Sequence, residues 1–152
     1  MSTELAPANF GDLEGVDLRA RVLELEAAML AVPDQVSIEP KHYFAPGLYA
    51  REVMVPKDTL AVGKIHRTEH ISVISKGDVS ILTEHGVIRV QAPYTLIAKP
   101  GTKRAVYAHE DTVWTTFHPS EETDLVKLEE KIIAPSYAAL LQEEPRKQLG
   151  GI

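Results

Sequence analysis

The feature that most constrains this chain is the cadence between Gln35 and Pro119. Short runs of alternating apolar and polar residues follow one another there, each closed by a turn-forming cluster. The breakers are Pro46-Gly47, Pro56-Lys57-Asp58, Lys76-Gly77-Asp78, Glu84-His85-Gly86, Ala92-Pro93 and Pro100-Gly101. Alternation puts one set of side chains on each face of a strand, and Gly, Pro and Asp permit the tight reversals between strands. The runs predict strands over 36–44, 48–55, 59–66, 70–75, 79–83, 87–91, 95–99, 104–108 and 112–117. No helical period interrupts them, which argues against a parallel α/β sheet. Strands this short, numerous and evenly spaced predict an all-β antiparallel sandwich or barrel.

A helical pattern lies on each side. Asp17 opens the first, LRARVLELEAAMLAV, and Pro33 ends it. Its apolar residues Leu18, Val22, Leu25, Met29 and Val32 step by four and three, a stripe that suits either the chain's own barrel or another subunit. After Pro119, SEETDLVKLEEKIIAPSYAALL reads as a second helix, capped by Ser120 or Thr123 and broken at Pro135. Its apolar face is Leu125, Leu128, Ile132 and Ile133. The expected organisation is an arm over 1–16, a helix over 17–33, a barrel over 35–119 and a helical strap with tail over 120–152.

A chain of 152 residues can bury one core without disulfides, and it has no cysteine, which removes thiolate zinc sites and Cys nucleophiles. The net charge of -6 argues against a nucleic acid duplex as partner, since that surface demands a basic patch. There is no basic-then-apolar leader and no apolar run near the ~20 residues a bilayer crossing needs, so a soluble protein without a membrane partner is expected.

Five of the six histidines lie between Gly63 and His118. His66 ends one predicted strand and His70 starts the next, so the turn Arg67-Thr68-Glu69 lets both imidazoles converge, with Glu69 as an oxygen donor if the turn folds inward. Imidazole with carboxylate suits zinc, iron, nickel or manganese. Further donors by type are His109, Glu110 and His118. The last strand is expected to carry His118 to the opposite end of the barrel, and His109 to sit in a solvated turn. The plainer alternative makes His66 and His70 hydrogen-bonded polar groups at a barrel mouth. Neither a Ser nucleophile with its base nor a Gly-rich phosphate loop stands out.

Gly77, Gly101 and the histidines around them resemble the cupin pattern, a jelly-roll barrel. In that family, two histidines separated by one residue precede a Glu and a hairpin Gly, and a later Pro-x-Gly turn precedes a further His. Matching Gly77 to the hairpin glycine places His70 at the family's Glu, His66 at its second His and Lys64 at its first. Gly101 matches the turn glycine, with Pro100 one place off, and puts Arg104 at the later His. The resemblance covers about residues 36–118 and implies a cupin-like jelly roll with half its metal ligands replaced. The phrases HYFAPGLYAREVMVP, KIHRTEHISVISKG, KPGTKRAVYAHEDTVWTTFHP and ETDLVKLEEKIIAPSY resemble cupin-like proteins of tailed bacteriophages, which implies a setting in the infected host's cytoplasm or in the virion.

Those replacements point Lys64 and Arg104 into the pocket of His66 and His70. Two cations beside two imidazoles suit a small anionic ligand such as a nucleotide or sugar phosphate, with Tyr107 and Trp114 as a flat wall. Three readings follow. The first is a binding module for a metal or small anion. The second is a metal-dependent enzyme of dioxygenase, isomerase or lyase type, and the third a structural protein of a phage particle that associates through the first helix. Self-association as a dimer is expected, because small jelly rolls expose an apolar sheet face.

Overall fold

The computed structural model describes residues 18–83 and 86–140. The expected arm 1–16, the capping role of Asp17, the turn residues Glu84 and His85 and the tail from Gln142 lie outside the described residues. Helix α1 (Leu18–Leu30) is followed by β1 (Lys41–Ala45), β2 (Leu48–Val55), β3 (Thr59–Val62), β4 (Ile65–His66), β5 (His70–Lys76), β6 (Asp78–Thr83), β7 (Gly86–Gln91), β8 (Tyr94–Ala98), β9 (Ala105–Ala108) and β10 (Thr112–Pro119). Helix α2 (Leu125–Ile132) and β11 (Ile133–Ala134) complete the order.

All pairings are antiparallel. A five-stranded sheet runs β1-β2-β10-β5-β8, a four-stranded sheet runs β3-β9-β6-β7, and β11 pairs with β4. Apart from the β1–β2 and β6–β7 hairpins, the chain passes back and forth between the two large sheets, which makes the body a cupin-like jelly roll. Its core lies between the sheets, where Val55, Ile74, Val79, Ile81, Val90, Val106, Ala108 and Trp114 pack together.

The apolar stripe of α1 lies on the chain's own barrel. Val22 and Leu25 are buried with Leu60, Leu82, Ala105 and Tyr107 on the outer face of the four-stranded sheet, and Met29 packs against them. The helix stops three residues before Pro33 because Gln35 Nε2 donates to the carbonyls of Met29 and Val32, at 2.5 and 2.6 Å. At the other end of the chain, Asp124 rather than Ser120 or Thr123 caps α2: its carboxylate accepts from the backbone N–H groups of Val126 and Lys127.

Two strand expectations change. The run 36–44 narrows to β1, which begins only after Pro40, a residue without an N–H to offer a ladder. The run 59–66 breaks at Gly63-Lys64, so β4 leaves the sheet of β3 and pairs with β11, His66 opposite Ile133. The C-terminal strap thereby holds His66 in place.

Candidate metal centre and its cavity

Register brings three histidines to one end of the barrel. In β10, Phe117 stands opposite Ile71 of β5, and His118 stands opposite Tyr49 of β2. Because β5 and β10 are antiparallel, the first residue of β5 and the end of β10 meet, so His70 and His118 are neighbours. His66 reaches them from β4 across the turn. The ring centroids of His66 and His70 are 4.3 Å apart, those of His70 and His118 4.7 Å, and those of His66 and His118 5.6 Å. One nitrogen of each ring lies within 4.8 Å of the others. The expectation that His118 lies at the opposite end is therefore corrected. It assumed that the strand ending at His66 is a ladder neighbour of the last strand, whereas β10 lies between β2 and β5.

Burial sets the chemistry of the cluster. His70 is 4% exposed and His118 2%. His70 Nδ1 lies 3.1 Å from the Thr68 carbonyl, which can only accept, so the proton sits on Nδ1 and the Nε2 lone pair is left free. His70 Nε2 and His118 Nδ1 are both buried without a hydrogen-bond partner. Burial, joined by the neighbouring His70, His118, Arg104 and Arg51, drives His66 down to about 3. Burial and the charges of His70 and Arg51 take His118 down to about 4, and burial also lowers His70. The rings are thus neutral, the form that donates a lone pair to a metal. Buried, orphaned nitrogens on converging neutral imidazoles fit an ion. Tetrahedral bonds of ~2.0–2.1 Å separate donor nitrogens by ~3.3 Å, so the rings need to close by at most about 1.5 Å.

Glu69, expected as an oxygen donor, is not in the cluster. Its carboxylate is exposed and accepts from Lys99 Nζ at 2.7 Å, because the turn faces outward and water solvates the charge more cheaply there. His109 lies beside Tyr107, with its Nε2 2.8 Å from Ser80 Oγ, and Glu110 pairs with Lys57.

A cavity of about 560 Å³ opens from the histidines into the barrel. Register orders its wall. The Tyr49–His118 pair comes first, then Arg51 opposite Thr116, then Val53 opposite Trp114. From the facing sheet, Arg104 and Val106 line it as well. The Arg104 guanidinium lies 5.8 Å from the Trp114 ring centroid, its Nε is buried without a partner, and burial takes the group down to about 10. Lys64 is at the rim, exposed and ion-paired with Glu129, the carboxylate that also borders the cavity.

Tyr107 does not belong to this wall. It is buried under α1, and its hydroxyl donates to Asp58 Oδ1 at 3.2 Å. It stands three positions after Arg104, and an odd offset along extended chain puts side chains on opposite faces. The sequence reading also missed Arg51, His42 and Tyr49. His42 and Arg51 are register partners with inward parity, and His42 Nδ1 lies 2.7 Å from the Tyr49 hydroxyl. Alternation within 48–55 offered the signal, since Tyr49, Arg51, Val53 and Val55 share one face.

No family model and no curated protein matches the chain. Among solved structures it is similar to KdgF from Halomonas sp., at 20% identity over 58% of this chain and 87% of that one, TM-score 0.48. A cupin-2 domain protein from Shewanella frigidimarina gives 14% identity over 68% and 99%, TM-score 0.45. The Cnp3 cupin domain of Schizosaccharomyces pombe gives 16% over 67% and 76%, TM-score 0.47. Overlaps this partial carry no residue role across, so the site stands on its own geometry.

Proposed function

We propose that the barrel binds a divalent transition metal through His66, His70 and His118 and accepts a small anionic ligand beside it. The observation that carries this reading is the pair of buried, unpartnered ring nitrogens on His70 and His118, in a cluster where one nitrogen of each of the three rings lies within 4.8 Å of the others. Leaving such nitrogens unsatisfied costs about 1–3 kcal/mol each, a cost a bound ion removes. Three imidazoles without a carboxylate favour zinc, iron or nickel over manganese. A metal held by three protein nitrogens supplies Lewis acidity and keeps a position open. The Thr68 carbonyl fixes the tautomer of His70, and the β4–β11 ladder fixes His66. A metal-dependent enzyme would use the same cavity, and the ligand-sized space beside the histidines favours that second reading. The phage-type phrases of the sequence support a setting in an infected bacterial cell, in its cytoplasm or in the virion.

Elemental analysis of protein purified without chelator tests the metal. The expected result is one ion per chain in the wild type and little in His70→Ala and His118→Ala, with both variants folded by circular dichroism. Unchanged metal content in both variants would end the proposal.

A further inference from the structure

We propose that the anionic ligand is a carboxylate with an apolar body, its anionic end taken by Arg104 and Arg51 and its body lying against Trp114, Val53 and Val106. The inference rests on the reading of the cavity as a binding site and narrows what enters it.

Two guanidiniums border the cavity, and neither is ion-paired with a carboxylate among the described residues. The one acidic side chain in the cavity wall among the described residues, Glu129, is held by Lys64. Arg51 is exposed, whereas the Arg104 Nε is buried without a partner, and a fold keeps such a costly buried cation where a ligand supplies the missing charge. The placement is specific. Arg51 sits one step inward from the Tyr49–His118 pair, and Arg104 reaches from the facing sheet with its planar group near the Trp114 ring. A guanidinium offers parallel N–H donors that match the two oxygens of a carboxylate.

The chamber beyond the arginines decides between anions. Past Arg51 and Thr116 the wall is Val53, Val55, Val106 and Trp114. Apart from the Trp114 indole N–H, these side chains give a sugar or nucleobase nothing to bond, so burying several hydroxyls or a base edge there would strip most of their water without replacement. An alkyl or aryl body loses nothing by entering it. A nucleotide or sugar phosphate, which the sequence suggested with Tyr107 as a wall, does not fit this surface, and Tyr107 lies under α1 instead.

The chain has a single tryptophan, and it lies in the wall, so its emission reports occupancy directly. Fluorescence titrations would use phenylacetate and hexanoate, their matched amides, inorganic phosphate and glucose 6-phosphate, each on chelator-stripped and on zinc-loaded protein. Saturable quenching or shift by the carboxylates is expected, with the amides on the order of tenfold weaker or worse. Arg104→Met should weaken the carboxylates by a similar factor. Amides that bind as well as carboxylates, or phosphates that bind better, would overturn the inference using the wild-type protein alone, whatever the fold of the variant. Zinc bound without any carboxylate response refutes this inference and spares the metal reading. Carboxylate binding in a protein that never takes up metal does the reverse.

Discussion

Replacing Arg104 with methionine should make the metal-free protein more stable. Burial takes this guanidinium down to about 10, with no neighbouring carboxylate to oppose the change. At about 1.4 kcal/mol per pH unit, that drop corresponds to roughly 3 kcal/mol of native-state destabilisation at neutral pH. The sign follows from linkage: the penalty is fully present below pH 10 and is lifted only as the pH rises through that value. Methionine keeps an unbranched apolar stem and loses the contact with Trp114, worth about 0.5–1 kcal/mol. The net expectation is a gain of roughly 1–3 kcal/mol, because an apolar group replaces an uncompensated buried charge. Urea unfolding of chelator-treated protein at pH 7, followed by Trp114 emission, measures it, with an unchanged m-value as the check that the unfolded state is the same. A loss of more than about 1 kcal/mol would refute the reasoning, since Arg104 would then have a compensating partner in the folded state. A gain in stability together with lost carboxylate binding marks a group kept for binding rather than folding.

Three further outcomes are expected. Gly77 has φ +117°, and a Cβ there would stand 2.2 Å from Thr112 Oγ1 and 2.7 Å from Thr112 Cα, whereas Gly86, at φ +120°, meets nothing within 4 Å. Gly86→Ala should therefore cost only backbone strain, about 1–3 kcal/mol, and Gly77→Ala clearly more; equal melting temperatures would contradict this. In metal-stripped protein the unfolded chain takes up protons below the ordinary histidine value while His66 and His118 stay neutral to about 3 and 4. Stability should be complete above about pH 6.5 and fall by roughly 1–3 kcal/mol per pH unit as acid is added below it, and a flat profile down to pH 4 would show that the cluster is not buried neutral. Across the outer face of the five-stranded sheet, register aligns Tyr43, Ala50, Phe117, Ile71 and Ile97 in one apolar row, with Tyr43, Ile71 and Ile97 exposed. Sedimentation should show a dimer that Ile71→Lys with Ile97→Lys dissociates; a monomeric wild type at the highest soluble concentration removes that association.

The architecture was legible in the sequence because its signals are local. Alternation and turn residues give β2 its full extent, Leu48–Val55, and give the break at Gly77, where the chain passes from β5 in one sheet to β6 in the other. The site was half legible. His66 and His70 flank one short turn, so their convergence follows from chain connectivity. His118 is nearly fifty residues away, and only the ladder order β2-β10-β5 brings it beside His70. No local pattern encodes which strands pair across such a distance. Glu69 shows the complementary failure. A donor next to a histidine in sequence is attractive, yet a turn residue faces water by default, and Lys99 holds it there. The apolar stripe of α1 was equally compatible with two partners, since helix periodicity states that a face is buried and not against what.

X-ray absorption at the metal edge, on protein purified without chelator, tests the central claim most directly. The account predicts one ion per chain with three imidazole nitrogens at about 2.0–2.1 Å, and loss of most of that ion in His118→Ala. Failure to take up zinc, iron or nickel at that site, or a first shell that His118→Ala leaves unchanged, would contradict it.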